Sequence, residues 1–414
     1  MKATMIGGGM TAFGRHKDRN LKSLVEEAVN LAIKDAGIEI EDIESAYVGN
    51  ASQGVLQGQE SIRGQVVLHA MGIGGIPIIN VENACASSAT ALNGAMAMIA
   101  AGEIECALVL GMEKMYFEER SRVQPAFTGS MDVEVLAESI ARMKASEEKA
   151  RAEAESGQNE APKEKSGQKT VFMDIYAQAA RAHMDKYGTT QKQLAEIAAK
   201  NHWHSSMNSL AQYQQDYSVE EVLASPDVAY PLTRLMCSPI GDGAAAAIVC
   251  SEAFAKRKMP KHRAEIASCL LSSARVTGDR SQSNLTLLAK KAYDQAGIGP
   301  EDVDLIELHD ATAMGEISSS EGLMLCDPGE GGRHAEAGHS KLGGRQPINV
   351  SGGLECQGHP IGATGVRQVV ELFWHLTDRA GKRQVEGAKV GLAQNAGGST
   401  PAGEGALSIT IMKR

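Results

Sequence analysis

The stretch LAIKDAGIEIEDIESAYVGN, residues 31–50, recurs in outline as AYDQAGIGPEDVDLIELHDA, residues 292–311. Ala36-Gly37-Ile38 matches Ala296-Gly297-Ile298, and Glu41-Asp42 matches Glu301-Asp302 at the same offset. In each copy an amphipathic helix ends at a glycine, a turn follows, and an alternating strand comes next. Further on, Ala89-Thr90 matches Ala363-Thr364, which sets Cys85 opposite His359. Internal duplication predicts an α/β protein of two similar halves packed about a pseudo-two-fold. Each half carries a strand-to-helix turn at the same place.

The chain of 414 residues is long enough for two or three domains. Hydrophobic residues make up 43% and charged residues 22%, as in ordinary globular enzymes. A net charge of −10 argues against nucleic acid, whose phosphates need a basic face. No segment offers about eighteen uninterrupted apolar residues, so no membrane span is expected. The start, MKATMIGGGMTAFG, lacks a secretory pattern, and the end, TIMKR, is not a peroxisomal address. Seven scattered cysteines without a C-x-x-C pair read as reduced intracellular thiols, and a cytoplasmic location is expected.

Alternation fails from about residue 116 to 235. The expected division is an N-terminal half over 1–118 completed by 236–262, a helical insertion over 119–235, and a C-terminal half over 263–414. Within the insertion, residues 144–169 are charged, small and poor in apolar residues, and read as a solvated mobile segment. The run GDGAAAAIVCSEAF, from Gly241, returns the chain to the sheet.

Four places offer chemistry. NVENACASSATALNGAMAMIAAG, from Asn80, puts Cys85 where a strand turns into an apolar helix expected to be buried on every side. The helix N-terminus favours thiolate, and free amides there could hold an oxyanion. The competing reading is a packed, inert thiol. NVSGGLECQGHPIGATGVRQVVEL, from Asn349, surrounds His359 with glycines, which reads as a tight site or as a plain glycine-rich turn. Cysteine with a histidine base is a nucleophile pair. LIELHDATAMGEI delivers His309-Asp310 to the C-terminal end of a strand, a common site position in α/β sheets. GLAQNAGGST, from Gly391, reads as a strand ending in a Gly-Gly loop whose amides could hold an oxyanion.

These motifs resemble those of the thiolase superfamily, most closely the sterol-carrier-protein-type thiolases and their bacterial and archaeal relatives. NACASSATAL is similar to the family's nucleophile motif and GGLECQGHPIGATG to its histidine motif; GMTAFGR, LGMEKM, HMDKYGTT, KNHWHS and SPIGDGAAAAIV follow in the family's order. The resemblance implies a five-layered α-β-α-β-α fold and ping-pong acyl transfer between coenzyme A thioesters. Cys85 would carry the acyl group, activated by His359, with the carbonyl oxygen on the amides of Cys85 and Gly397. His309, with His359, would bind the thioester oxygen of the second substrate. Coenzyme A would be substrate and product, with no permanently bound cofactor. The resemblance also implies a homodimer or tetramer, and some relatives work with small zinc-ribbon/OB-fold proteins.

The chain departs from the family at the second catalytic thiol. The position in the C-terminal loop holds Asn395; the cysteine of an H-D-C-F motif is replaced by Ala311, followed by Thr312. Cys356 is one candidate replacement. A neutral His309 or His359 is another. A third is an acceptor carbon that is already nucleophilic. The expected function is acyl transfer, of acetyl in the first instance. The alternatives are transfer to a non-thioester carbon, an aldolase-type reaction, or an acyl-coenzyme A-binding scaffold subunit.

Three weaker signals are set aside. GGGMTA, from Gly7, fits a dinucleotide pattern without the acidic residue that should follow. His202, His204, Cys326, His334 and His339 match no zinc spacing, so no metal is expected. Arg333 and Lys341 lie in a flexible stretch where they could meet coenzyme A phosphates.

Overall fold

A computed structural model describes residues 3–138, 171–278 and 281–414; the charged segment 144–169 lies outside the described residues. The strands are β1 (Ala3–Met10), β2 (Ser45–Gly49), β3 (Ile78–Val81), β4 (Cys106–Glu113), β5 (Asp227–Ala229), β6 (Leu232–Thr233), β7 (Gly243–Ser251), β8 (Ala264–Ser272), β9 (Leu305–Glu307), β10 (Val390–Thr400) and β11 (Gly403–Lys413). The helices that matter here are α1 (Leu21–Ala36), α2 (Ser87–Ala101), α3 (Val171–Tyr187), α4 (Gln191–Ser206), α5 (Asn284–Ala296) and α6 (Thr364–Leu376).

The duplication is visible residue by residue. α1 ends at Gly37 (φ 66°) and α5 at Gly297 (φ 65°), both left-handed caps that a side chain would strain. A single 3₁₀ turn follows each, pinned by the same bond: Glu39 N–H to Asp42 (3.0 Å) and Gly299 N–H to Asp302 (2.8 Å). β2 and β9 then enter their sheets parallel to β4 and β10.

The first half orders its strands β3-β2-β4-β7-β1, and the second β9-β10-β11-β8. In place of a fifth strand the second half has one parallel bridge, Ile306 to Ile348, on the side of β9 where β3 flanks β2. The two sheets also share a seam: β1 pairs antiparallel with β8 over Ala3–Met5, which joins all nine strands.

Five layers result. α1 covers the outer face of the first sheet with Leu24, Val25, Ala28 and Ala32. α5 covers the outer face of the second with Leu288, Ala289 and Ala292. Between the sheets, Leu92 and Ala95 of α2 and Val366, Val370 and Phe373 of α6 form one core with Val109, Leu305 and Met412.

One expectation about burial is overturned. α2 is not buried on every side: Ala97, Met98, Ala100 and Ala101 face outward, and Asn80 of the edge strand β3 is exposed. Its sequence Ala84–Ala101 is apolar enough to cross a membrane by composition, yet half of it packs inside this α/β core. The more enclosed of the two inner helices is the more polar α6, where every residue but the half-buried Trp374 is buried. Arg367 there pairs with Glu307, and Glu371 with Arg383, so its charges are compensated on site. The glycines of GGGMTA also have a packing role. An added Cβ would stand 2.5 Å from Ala32 O at Gly7 and 2.5 Å from Ala28 O at Gly9, so they let β1 press on the α1 backbone.

Candidate active site

Cys85 lies between β3 and α2 in a turn held under strain. Ala84 sits at φ 47°, a costly value for a residue with a side chain, and its N–H is anchored on Glu82 (2.6 Å). The Ala86 and Ser87 amides bond back to Asn83 O (2.9 Å) and Ala84 O (3.1 Å). They are therefore spent inside the turn and are not the free oxyanion donors expected from a helix start.

His359 comes from the mirrored turn ahead of α6. Its Nε2 stands 3.2 Å from Cys85 Sγ, and its Nδ1 stands 2.8 Å from Thr364 Oγ1. The Thr364 hydroxyl donates its own hydrogen to Pro360 O (3.2 Å). It must therefore accept from Nδ1–H, which leaves the Nε2 lone pair facing the sulfur. This is the tautomer a general base needs.

The resting charge differs from expectation. Burial pushes the Cys85 thiol up to about 12, helped by Glu113 and Glu82 and only partly opposed by its own backbone amide. Burial, His309 and Arg367 hold His359 well below the usual imidazole range. The pair rests as neutral thiol and neutral imidazole, not as thiolate and imidazolium. The helix terminus is outweighed because the turn is enclosed and Glu113 is fixed beside it by Asn50, Ala51, Ser52 and Gly362.

His309 follows β9, with its ring 5.1 Å from that of His359 and nearly perpendicular to it. Its Nδ1 is 3.2 Å from Asn395 Nδ2, and its N–H donates to Gln394 Oε1 (3.0 Å). With Nδ1 accepting from the amide, Nε2 carries the hydrogen and is a donor. Burial and Arg367 bring its pKa down to about 3, so it too is neutral. One ligating atom from each of Cys85, His309 and His359 lies within 4.8 Å of the others.

Gly397 is not in a loop; β10 runs through it and pairs it with Ala406 of β11. A Cβ there would stand 2.1 Å from Asn83 O and 2.5 Å from Ala86 N, both backbone atoms of the nucleophile turn. Gly397→Ala should therefore displace Cys85 and lower any reaction at its sulfur by about 10²-fold, the usual cost of a misplacement near 1 Å. Rates on the folded variant check this; an unchanged rate would show that the turn yields freely.

The two remaining thiols are both buried and differ in whether they reach the cavity. Cys356 is fully buried, its thiol is pushed well up by enclosure and Glu355, and it does not line the cavity. Cys237 does line it, beside His309, Ala311 and His359. Its backbone bridges to Thr312, and Ser238 N–H donates to Ala311 O (3.0 Å). Sequence reasoning missed Cys237 because it is 74 positions from Ala311 along the chain.

The cavity of about 1380 Å³ is walled by Phe117 and by aromatic residues of the insertion, including Phe127, Tyr176, Tyr213 and Tyr217. Arg15 and Arg234 also line it and are exposed, whereas Arg333 and Lys341 do not line it and Arg333 is paired with Glu330. His202 packs on Tyr217 and bonds Leu235 O (3.3 Å). His204 is fixed between Asn349 O and Leu342 N–H, 3.0 Å each.

A buried polar base supports the site. Asp310 accepts from Leu354 N–H (2.8 Å) and from Asn201 of α4 (3.1 Å), and Asn201 also reaches Glu355 (3.1 Å). Gly353 (φ 61°) is required here, since a Cβ would meet Asp310 Oδ2 at 2.1 Å. Lys200 pairs with Glu316, and Arg367 joins Glu307, Ser351 and Gln357. Nothing in the spacing of Lys200, Asn201 or Arg367 signals this role.

Family models match the chain along most of its length: the thiolase N-terminal domain over residues 3–253 and the thiolase C-terminal domain-like family over 275–406. The chain is 37% identical to sterol carrier protein 2 of Bos taurus over 425 residues, covering 99% of this chain and 72% of that protein. It is 37% identical to an acetyl-CoA acetyltransferase of Methanothermobacter thermautotrophicus over 399 residues, covering 95% and 96%. Among solved structures, the Ltp2-ChsH2(DUF35) aldolase superposes with TM-score 0.74 at 23% identity, covering 99% of this chain and 97% of that one. Human mitochondrial 3-ketoacyl-CoA thiolase in complex with CoA superposes with TM-score 0.68 at 18% identity, covering 100% and 98%. With its duplicated five-layer architecture and these matches, the chain belongs to the thiolase family.

Proposed function

We propose that this chain transfers an acyl group, acetyl in the first instance, between coenzyme A thioesters through a thioester on Cys85. The observation that carries the reading is His359 Nε2 at 3.2 Å from Cys85 Sγ, with Nδ1 tied to Thr364. Because both groups rest neutral, sulfur attacks the thioester carbon as its proton passes to Nε2. The carbonyl oxygen becomes an oxyanion beside the Cys85 and Gly397 amides. Coenzyme A then leaves as a thiol, taking that proton back from Nε2. The exposed Arg15 and Arg234 suit the anionic end of coenzyme A.

In the second half-reaction His309 Nε2–H, and His359 when its Nε2 holds the proton taken from Cys85, hold the enolate oxygen. Cys237, a neutral thiol lining the same cavity, protonates the leaving α-carbon in the cleavage direction. Cys237→Ala should lower acetoacetyl-coenzyme A thiolysis by about 10²–10⁴-fold while leaving acylation of Cys85 intact. Cys356→Ala should change neither. A full thiolysis rate in Cys237→Ala would move the proton transfer to an imidazole.

We also propose self-association along the open edge of β3, covering the outward apolar side of α2. A small partner of the DUF35 kind is proposed by analogy with the Ltp2-ChsH2 assembly. That same neighbour is an aldolase, and positions 311 and 395 lack a thiol, which favours aldol cleavage as the second reading. The retained Cys85–His359 pair weighs against it. Mass spectrometry after mixing with acetyl-coenzyme A separates the two: an acetyl group on the Cys85 peptide supports acyl transfer, and its absence sinks it.

A further inference from the structure

We propose that Cys85, His309 and His359 form a zinc-binding site whose occupancy excludes acylation. The binding site goes beyond acyl transfer and does not depend on it, whereas the exclusion of acylation rests on that reading. The three residues come from three separate loops, yet one ligating atom of each lies within 4.8 Å of the others. Zinc holds sulfur at about 2.3 Å and imidazole nitrogen at about 2.0–2.1 Å, so tetrahedral donors stand about 3.3–3.6 Å apart. Cys85 Sγ and His359 Nε2, at 3.2 Å, already have nearly that separation. The other two separations are at most 4.8 Å, so each closes by no more than about 1.5 Å. All three residues line the cavity, so an ion has an entry path and a fourth position open to water.

The outer partners are those a metal site requires. His359 already donates Nδ1–H to Thr364 Oγ1, which presents Nε2 as a ligand. For His309 the partner is Asn395, whose Oδ1 is buried without a hydrogen bond. Turning the Asn395 amide over places Oδ1 on Nδ1–H and frees the His309 Nε2 lone pair for the ion.

Binding replaces the S–H bond with S–Zn and releases the thiol proton to solvent; no electron is transferred. Zinc and the acyl carbon compete for the same sulfur lone pair, so the ion blocks acylation reversibly.

Zinc chloride titrated calorimetrically into the full chain should bind one to one. Cobalt(II) should give a thiolate-to-metal charge-transfer band with the intense visible bands of a tetrahedral ion. Loss of an outer partner costs about 10–100-fold, which is the weakening expected for Asn395→Ala; Cys85→Ala should weaken zinc by more than about a hundredfold. Unchanged zinc affinity in Cys85→Ala, or cobalt binding without the thiolate band, would overturn the assignment. If Cys85→Ala folds poorly, the wild type decides: zinc should protect the Cys85 peptide from iodoacetamide and a chelator should restore labelling, whereas no protection overturns it. An acetyl adduct without zinc binding would sink this inference alone; zinc binding without an adduct would sink only the acyl-transfer reading.

Discussion

Replacing Cys85 by alanine is expected to abolish the covalent acetyl adduct and to lower acyl transfer by on the order of 10⁴-fold or more. In the proposed reaction the sulfur is the nucleophile, and among the described residues lining the cavity one other side chain carries a thiol. Among the described residues no hydrogen bond offers an imidazole to Cys237, the second thiol lining the cavity; its Sγ donates to Thr233 O (3.4 Å). The variant should fold, because the sulfur's hydrogen bond to His359 is the one polar contact removed. Coenzyme A affinity should also persist, since Arg15, Arg234 and the aromatic walls are untouched. Intact-mass analysis and turnover with acetyl-coenzyme A check this. An adduct of equal yield in the variant would place the acyl carrier elsewhere.

For His359→Asn we expect about a 10³-fold loss in the rate of acylation, within the range for a positioned base. The reason is the resting charge. A thiol pushed up to about 12 is almost wholly protonated near neutral pH, so little thiolate exists to react unaided. Attack must be coupled to proton transfer, and Nε2 is the acceptor in hydrogen-bond reach. A preformed thiolate would instead make the loss small, because the base would have acted before substrate arrived. Single-turnover acylation followed by mass spectrometry distinguishes the cases: a loss below about tenfold contradicts the neutral-pair description. Asparagine approximates the ring's volume, which limits cavity effects in a position only 8% exposed.

The duplicated fold was legible because its signals are local. The two glycine-capped helices and their E-D turns each depend on a few neighbouring residues and reappear at Gly37 and Gly297 with matching dihedrals. The Cys85–His359 pairing was legible for the same reason, since each lies at a fixed place in its repeat. The Gly-Gly pair in β10 misled because glycine beside glycine reads as a loop, whereas pairing with β11 carries the strand through. α2 misled in the opposite sense, since apolarity all round does not say which neighbours exist.

Sequence alone determined membership of the thiolase family and the two-half architecture, and it singled out the Cys85–His359 pair that we propose as nucleophile and base. These depend on residue type and spacing within a turn. Tertiary structure decided that the pair is neutral at rest, that Cys237 and not Cys356 lines the cavity, and that Arg15 and Arg234 line it too. Each of those depends on desolvation and on charges such as Glu113 and Arg367 brought in from distant parts of the chain. Spacing along a chain specifies local geometry, but the electric field at one sulfur is a sum over everything folded around it.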